Sequence, residues 1–117
     1  MHLETRVVGD VAIVTIIGEM TLNKGGEALL QDSVRGLIQG GHTRVLLDLG
    51  SVSYVDSAGL GQLVQTHSTA KNGGGSLKVF NPTARIRDLL VLTRLTTVFG
   101  MYDDEAQAIA SFGTPPT

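Results

Sequence analysis

The sequence predicts an α/β domain with a mixed central β-sheet of about four to five strands and about four helices. Two short β-rich runs, Leu3 to Val8 and Val11 to Ile17, flank Gly9-Asp10, a dipeptide typical of a hairpin turn. After them, apolar runs of strand length alternate with stretches of helical periodicity. Because strands joined through helices follow right-handed crossovers, we expect the third strand to lie inside the sheet.

That third strand begins the most informative stretch of the chain. Val45 to Leu49 is a short and mostly apolar run that ends at Gly50, which predicts a buried strand covered on both faces of the sheet. A second, smaller apolar-rich patch follows, in which Tyr54 is either a surface aromatic or part of the core. In open α/β sheets, binding surfaces tend to lie beyond the carboxyl ends of the strands, which is where this patch emerges.

A helix is predicted to begin directly after this patch. Asp56 or Ser57 suits its N-cap, because either side chain can accept a hydrogen bond from a free amide of the first turn. Gly59 and Gly61 lack a Cβ atom, so another backbone or a partner can approach the first turn closely. The predicted apolar face of this helix comprises Leu60, Leu63, Val64 and His67. Ser57 is therefore placed at a helix N-terminus, which favours negative charge such as a phosphate.

The remaining elements follow from the same patterns. An earlier helix has the apolar stripe Leu30, Val34, Leu37 and Ile38, and it ends at Gly40-Gly41. A strand is predicted from Leu77, Val79 and Phe80. The next helix is capped by Asn81 or Thr83 and contains Ile86, Leu89, Leu90 and Leu92. Val98 to Tyr102 suggests an edge strand, and a last helix, capped by Asp103, is expected from Asp104 to Phe112.

Composition restricts both the class of protein and its partners. The 117 residues fit one domain, assigned to 1–113, and residues 114–117 are expected to be a mobile tail. The net charge of −2 without a basic cluster argues against nucleic acid as a partner. The chain has no Cys, which excludes disulfides and thiolate metal sites. No run approaches transmembrane length, so we expect a cytoplasmic protein without membrane contact.

Enzymatic and metal-binding interpretations have little support. A nucleophile elbow needs glycine two positions before the serine, and Val55 occupies that place. His67 lies ten positions along the predicted helix, so its backbone is roughly 15 Å from Ser57. The Gly59-Leu60-Gly61 sequence is not completed to a dinucleotide-binding loop, because residue 64 is Val. The three His residues lack ligand spacing, so we expect no catalysis, no metal site and no cofactor.

The central stretch resembles a known family. VLLDLGSVSYVDSAGLGQLVQ (45–65) is similar to the central motif of STAS domains, which sulfate transporters and anti-sigma-factor antagonists share. IIGEM (16–20) resembles the Gly-Glu-Leu of the first hairpin, and GGGSLKVFNP (73–82) resembles the family's Gly-Gly-x-Leu-x-x-x-Asn-Pro strand. Leu92 to Leu95 and Val98-Phe99 resemble its closing segment. The resemblance covers nearly the whole chain and implies a single STAS-like domain.

The resemblance also implies a function. In the antagonists, a serine at the position of Ser57 is phosphorylated by an anti-sigma factor that is itself a serine kinase using Mg-ATP, and a serine phosphatase reverses this. The implied partner-binding residues are Glu19, Met20, Thr21, Tyr54, Asp56, Ser57, Ala58, Gly59, Leu60 and Gly61. Thr21 stands where the family usually has aspartate. A second interpretation therefore remains, namely a STAS scaffold or a nucleotide- or lipid-binding module without phosphorylation.

Overall fold

A mixed five-stranded sheet organises the protein. The computed structural model describes residues 2–21 and 29–113, and the predicted tail at 114–117 lies outside the described residues. The strands are β1 (His2–Val8), β2 (Val11–Met20), β3 (Arg44–Val55), β4 (Ser76–Phe80) and β5 (Gly100–Tyr102). The α-helices within these ranges are α1 (Leu29–Gln39), α2 (Ser57–Asn72), α3 (Ala84–Leu92) and α4 (Glu105–Ala110), and a short 3₁₀ helix spans Leu95–Thr97. The predicted α/β fold class is confirmed.

The strands are ordered β1-β2-β3-β4-β5, so β3 is central as expected. β1 and β2 form the predicted antiparallel hairpin, while the other three pairings are parallel. Gly9 in the hairpin turn has a φ of +62°, a conformation that glycine adopts without steric cost. The parallel pairings bring the carboxyl ends of β2, β3 and β4 toward the same edge of the sheet.

Helices cover both faces of the sheet, which explains the continuous apolar run in β3. Val45 and Leu47 join a large core that also contains buried residues of α1, α2 and α3. Leu46 faces the opposite side, where it packs in a smaller cluster with Phe80 and with Ala108 of α4. Because alternate side chains of a strand point to opposite faces, a strand buried on both must be apolar at almost every position.

β3 is longer than the sequence indicated. The predicted strand ends before Gly50, whereas the observed one continues to Val55. The Gly50 amide donates a hydrogen bond to Asp48 Oδ1 at 2.9 Å, so a side chain satisfies an amide that β4 does not reach. β4 pairs with β3 only as far as Asp48, and the rest of β3 continues beside β2.

The predicted helices form, but some of their faces differ from the expectation. The buried residues of α2 are Gly59, Gln62, Leu63, Thr66 and Ala70. Of the predicted apolar face, Leu63 is buried, Leu60 and His67 are half-buried, and Val64 is exposed, so the prediction was wrong for Val64. Thr83 rather than Asn81 caps α3. Asp104 caps α4, because the Asp103 carboxylate is paired with the Arg87 guanidinium instead.

Candidate functional site

The carboxyl ends of β2 and β3 meet the start of α2. Glu19 lies opposite Tyr54 in the sheet, and Met20 lies opposite Val55. The chain then turns into the helix at Asp56, whose backbone amide donates to the Met20 carbonyl at 3.3 Å. The sequence predicts that 18–23 and 56–61 are neighbours; residues 18–20 do lie beside the start of α2, and 22–23 lie outside the described residues.

Asp56 closes the first turn of α2. Its Oδ1 accepts a hydrogen bond from the Gly59 amide at 2.8 Å, and its extended backbone (φ −100°, ψ −176°) is typical of an N-cap residue. Its carbonyl accepts the first helical bond, from the Leu60 amide at 3.0 Å. Of the two predicted caps, Asp56 is thus the N-cap, and Ser57 is the first residue inside the helix.

Ser57 is exposed at this position. Its neighbours Ala58 and Leu60 are half-buried, so the first helical turn packs against the protein while Ser57 remains exposed. Since the amides of a first helical turn carry partial positive charge, an anion attached to this hydroxyl would meet a favourable field. The arrangement suits a group that is recognised or modified by another molecule.

Gly59 permits the close approach of β2 to α2. A Cβ atom at this position would lie 2.1 Å from the Met20 carbonyl oxygen and 2.9 Å from the Met20 carbonyl carbon, which is too close for any side chain. Gly61 differs, because a Cβ atom there would meet nothing within 4 Å. The sequence-based expectation of close packing is therefore confirmed for Gly59 and wrong, within the protein itself, for Gly61.

The predicted partner-binding residues fall into two groups. Tyr54, Ser57 and Gly61 are exposed, and the side chains of Glu19, Thr21, Asp56, Ala58 and Leu60 are half-buried. Met20 is 1% exposed and Gly59 is buried, so these two support the surface from beneath. Tyr54 is 47% exposed, which resolves the open alternative in favour of a surface aromatic.

The histidine nearest in sequence to Ser57 on α2 is engaged elsewhere. The His67 ring packs edge-on against Phe99, with ring centroids 5.4 Å apart. Partial burial lowers the pKa of His67, and the nearby Lys71 ammonium lowers it further. Because its backbone lies about 15 Å along the helix from Ser57, His67 is not positioned to deprotonate that hydroxyl.

Asp48 and Asp56 make separate hydrogen bonds to the backbone. Asp48 Oδ1 accepts from the Gly50 amide and, at 3.3 Å, from Asn81 Nδ2, so it is not joined with Asp56 in one site. In the described ranges, 2–21 and 29–113, no group of three or more His, Asp or Glu residues could hold a metal ion. The same ranges contain no helix that is both long and apolar enough to cross a membrane.

Sequence reasoning missed a groove that begins at Tyr54 and continues along α3. Its outer wall is formed by Leu89 and Leu92, two of the apolar residues predicted in this helix. Leu89 is half-buried and Leu92 is 80% exposed. No signal in the sequence separates these two leucines from their buried neighbours Ile86 and Leu90.

Comparison with known proteins agrees with this arrangement. A Thermotoga neapolitana homologue of TM1081, named as a candidate anti-sigma factor antagonist, is 29% identical over 69 residues, 59% of this chain and 61% of the relative. The alignment thus spans less than two thirds of that curated relative.

Solved structures extend the comparison to the whole fold. The crystal structure of TM1081, a candidate anti-sigma factor antagonist from Thermotoga maritima, superimposes with a TM-score of 0.81 at 24% identity, covering 93% of this chain and 92% of that one. The Bacillus cell fate determinant SpoIIAA in its phosphorylated form gives 0.70 at 18% identity, covering 95% and 99%. The family model of the STAS domain matches residues 2–108. The chain therefore belongs to the STAS domain family.

Proposed function

We propose that this protein is an anti-sigma-factor antagonist, a binding switch without catalysis or a cofactor of its own. Its unmodified form binds an anti-sigma factor that is a serine kinase, in the cytoplasm, and so releases a sigma factor. The kinase uses Mg-ATP to phosphorylate Ser57, which ends binding, and a serine phosphatase restores the active form. The names of the relatives support this class of function.

The observation that carries the proposal is the exposed Ser57 at the first position of α2. The hydroxyl is accessible to a kinase, while the Asp56 cap and the Met20 carbonyl fix the backbone on both sides of it. A phosphate adds a charge of about −1.5 to −2 at pH 7, and a helix N-terminus accommodates such a charge. The fold is therefore expected to survive phosphorylation.

Loss of binding follows from the same geometry. Tyr54, Ser57 and Gly61 are exposed close together at the start of α2, so a partner that covers this surface must cover the hydroxyl. After phosphorylation, the same partner would have to desolvate a dianion and accept its additional volume. The switch acts by making one surface incompatible with its partner, without a change of fold.

One observation favours a second candidate function. Thr21, in place of the family's usual aspartate, directly follows Met20, whose carbonyl contacts the start of α2. A missing carboxylate beside the acceptor hydroxyl would remove a group that supports recognition or transfer in the family. The second candidate is a STAS scaffold, or a nucleotide- or lipid-binding module, in which Ser57 is not phosphorylated.

Intact-mass spectrometry distinguishes the two. The purified protein is incubated with Mg-ATP and, one at a time, the anti-sigma serine kinases of the same organism. We expect one phosphoryl group on the wild type and none on Ser57→Ala. Ser53→Ala is the matched control, because Ser53 is an exposed serine four positions earlier on β3, and it should be phosphorylated normally. Labelling of Ser57→Ala would refute the site, and no labelling of any protein would favour the scaffold.

A further inference from the structure

A groove separates the last residues of β3 from α3. Its apolar lining residues are Tyr54, Val55, Ile86, Leu89 and Leu92, and the charged Arg85 and Asp88 also line it. Arg85 and Leu92 are seven residues apart on the helix, so the α3 wall is about 10 Å long. A groove of this length can receive several residues of another chain.

Both walls of the groove expose large apolar side chains. Leu92 is 80% exposed on the α3 wall, and Tyr54 is 47% exposed on the β3 wall. An isolated exposed apolar side chain on a protein surface needs no explanation. Here two of them line one groove together with the buried Val55 and Ile86, so the groove offers an apolar site for a bulky side chain beside the charged Arg85 and Asp88.

One edge of β3 also lacks a strand partner along this part. Within the described residues, β4 pairs with β3 no further than Asp48. The Gly50 amide is then satisfied by the Asp48 carboxylate, which leaves Ser51 to Val55 paired only on the β2 side. A free strand edge offers backbone donors and acceptors over about 17 Å for five residues. Such an edge selects an extended chain over a helix, because a helix has no free backbone groups along its length.

We propose that this groove binds an extended segment of the anti-sigma partner, which pairs with the free edge of β3 and inserts a bulky apolar side chain between Tyr54 and Leu92. The inference rests on the proposed function, since the occupant belongs to the same partner. The groove is continuous with the proposed switch surface, because Val55 is followed directly by Asp56 and Ser57. A partner that covers Ser57 can therefore contact the groove as part of the same interface.

Affinity measurements with a matched pair of variants test the groove. Leu92→Ser removes the exposed leucine that lines the groove. Val91→Ser removes an adjacent apolar side chain on α3 that is 54% exposed and does not line the groove. Both are surface substitutions, so neither should unfold the protein. With each purified anti-sigma serine kinase of the organism as probe, Leu92→Ser should weaken binding about tenfold and Val91→Ser by less than about twofold.

Ser57→Asp, measured in the same series, separates the two proposals. If Ser57→Asp weakens binding and Leu92→Ser matches Val91→Ser, the groove proposal is overturned and the switch stands. If Leu92→Ser weakens binding and Ser57→Asp does not, the groove stands and the switch is overturned. If no kinase binds the wild type, both proposals are overturned together.

Single cysteines provide a second measurement, because the natural chain contains none. The kinase that binds should protect Leu92→Cys from alkylation and leave Val91→Cys reactive, as read by intact mass. Cross-links from Leu92→Cys to partner residues two apart indicate an extended segment. Cross-links three or four apart, or protection that rises with the concentration of this protein alone, would replace the extended segment with a helix or a second copy and overturn the proposal.

Discussion

The starts of α2 and α3 are both capped by a side chain. Each helix follows a strand of the parallel part of the sheet, and each has a side-chain cap that accepts from the amide three residues later. Asp56 Oδ1 accepts from the Gly59 amide at 2.8 Å, and Thr83 Oγ1 accepts from the Ile86 amide at 3.3 Å. A capped helix after a strand is therefore a general feature of this fold and does not by itself mark a site.

The difference lies in the residues that follow each cap. In α3 the third helical residue is Ile86, which is 2% exposed and fills the core. In α2 the third residue is Gly59, which lets the Met20 carbonyl approach to a distance that excludes a Cβ atom. The first helical residues are exposed in both, Ser57 in α2 and Ala84 in α3. What distinguishes α2 is an exposed hydroxyl in a first helical turn that packs against the end of β2, and this suits a modifiable contact surface.

The largest loss of stability is expected from adding a side chain at Gly59, where β2 and α2 are in close contact. Gly59→Val places a Cβ atom against backbone, which cannot rotate away as a side chain can. We expect a loss of about 3 kcal/mol in the free energy of unfolding, at the upper end of the cost of overpacking. Calorimetry should show a decrease in Tm of roughly 10 °C.

Gly61→Ala is the matched control for this prediction. It lies on the same turn with open space at the Cβ position, so its stability should rise by about 0.5–1 kcal/mol through helix propensity. Gly73 is a poorer control, since a Cβ atom there would lie 3.0 Å from Ile38 Cγ2. Equal changes in Tm for Gly59→Val and Gly61→Ala would show that the β2–α2 contact does not require glycine.

Loss of either N-cap should lower the free energy of unfolding by less than Gly59→Val does. Asp56→Ala should lower the unfolding free energy by about 1–2 kcal/mol and Thr83→Ala by about 1 kcal/mol, as typical of lost N-caps. The larger value for Asp56 reflects its shorter hydrogen bond and the charge of its carboxylate at the positive end of α2. Urea titrations of both variants measure this, and a greater loss for Thr83→Ala would contradict the view that Asp56 anchors the site.

The periodicity of the sequence was sufficient to predict the elements and their order. Apolar runs and glycine-rich stops identified all five strands, and the patterns around Asp56 identified the start of α2. These signals are local, because caps, turns and strand alternation depend on residues a few positions apart. The adjacency of β2 and α2 was also predictable, since parallel strands bring their carboxyl ends to one edge of the sheet.

Features that depend on distant contacts were not predictable. Gly50 does not end β3, because β3 remains paired with β2 as far as Val55. Asp103 does not cap α4, because Arg87, on a different helix, pairs with it. Leu92 has the spacing of a core residue but lies beyond the region that the other elements cover. In each case, the outcome depends on another element of the fold, whose position the local sequence pattern does not indicate.

The central claim is that the first position of α2, unlike the first position of α3, lies where an added negative charge prevents partner binding. The most direct test is the affinity of Ser57→Asp and Ala84→Asp for the anti-sigma kinase that binds the wild type. Both variants place a carboxylate at the first position of a helix, so both should keep or gain about 0.3–1 kcal/mol of stability. Ser57→Asp should weaken binding about tenfold or more, about 1.4 kcal/mol, and Ala84→Asp by less than about twofold. Equal affinities of the two variants for the kinase would contradict the account.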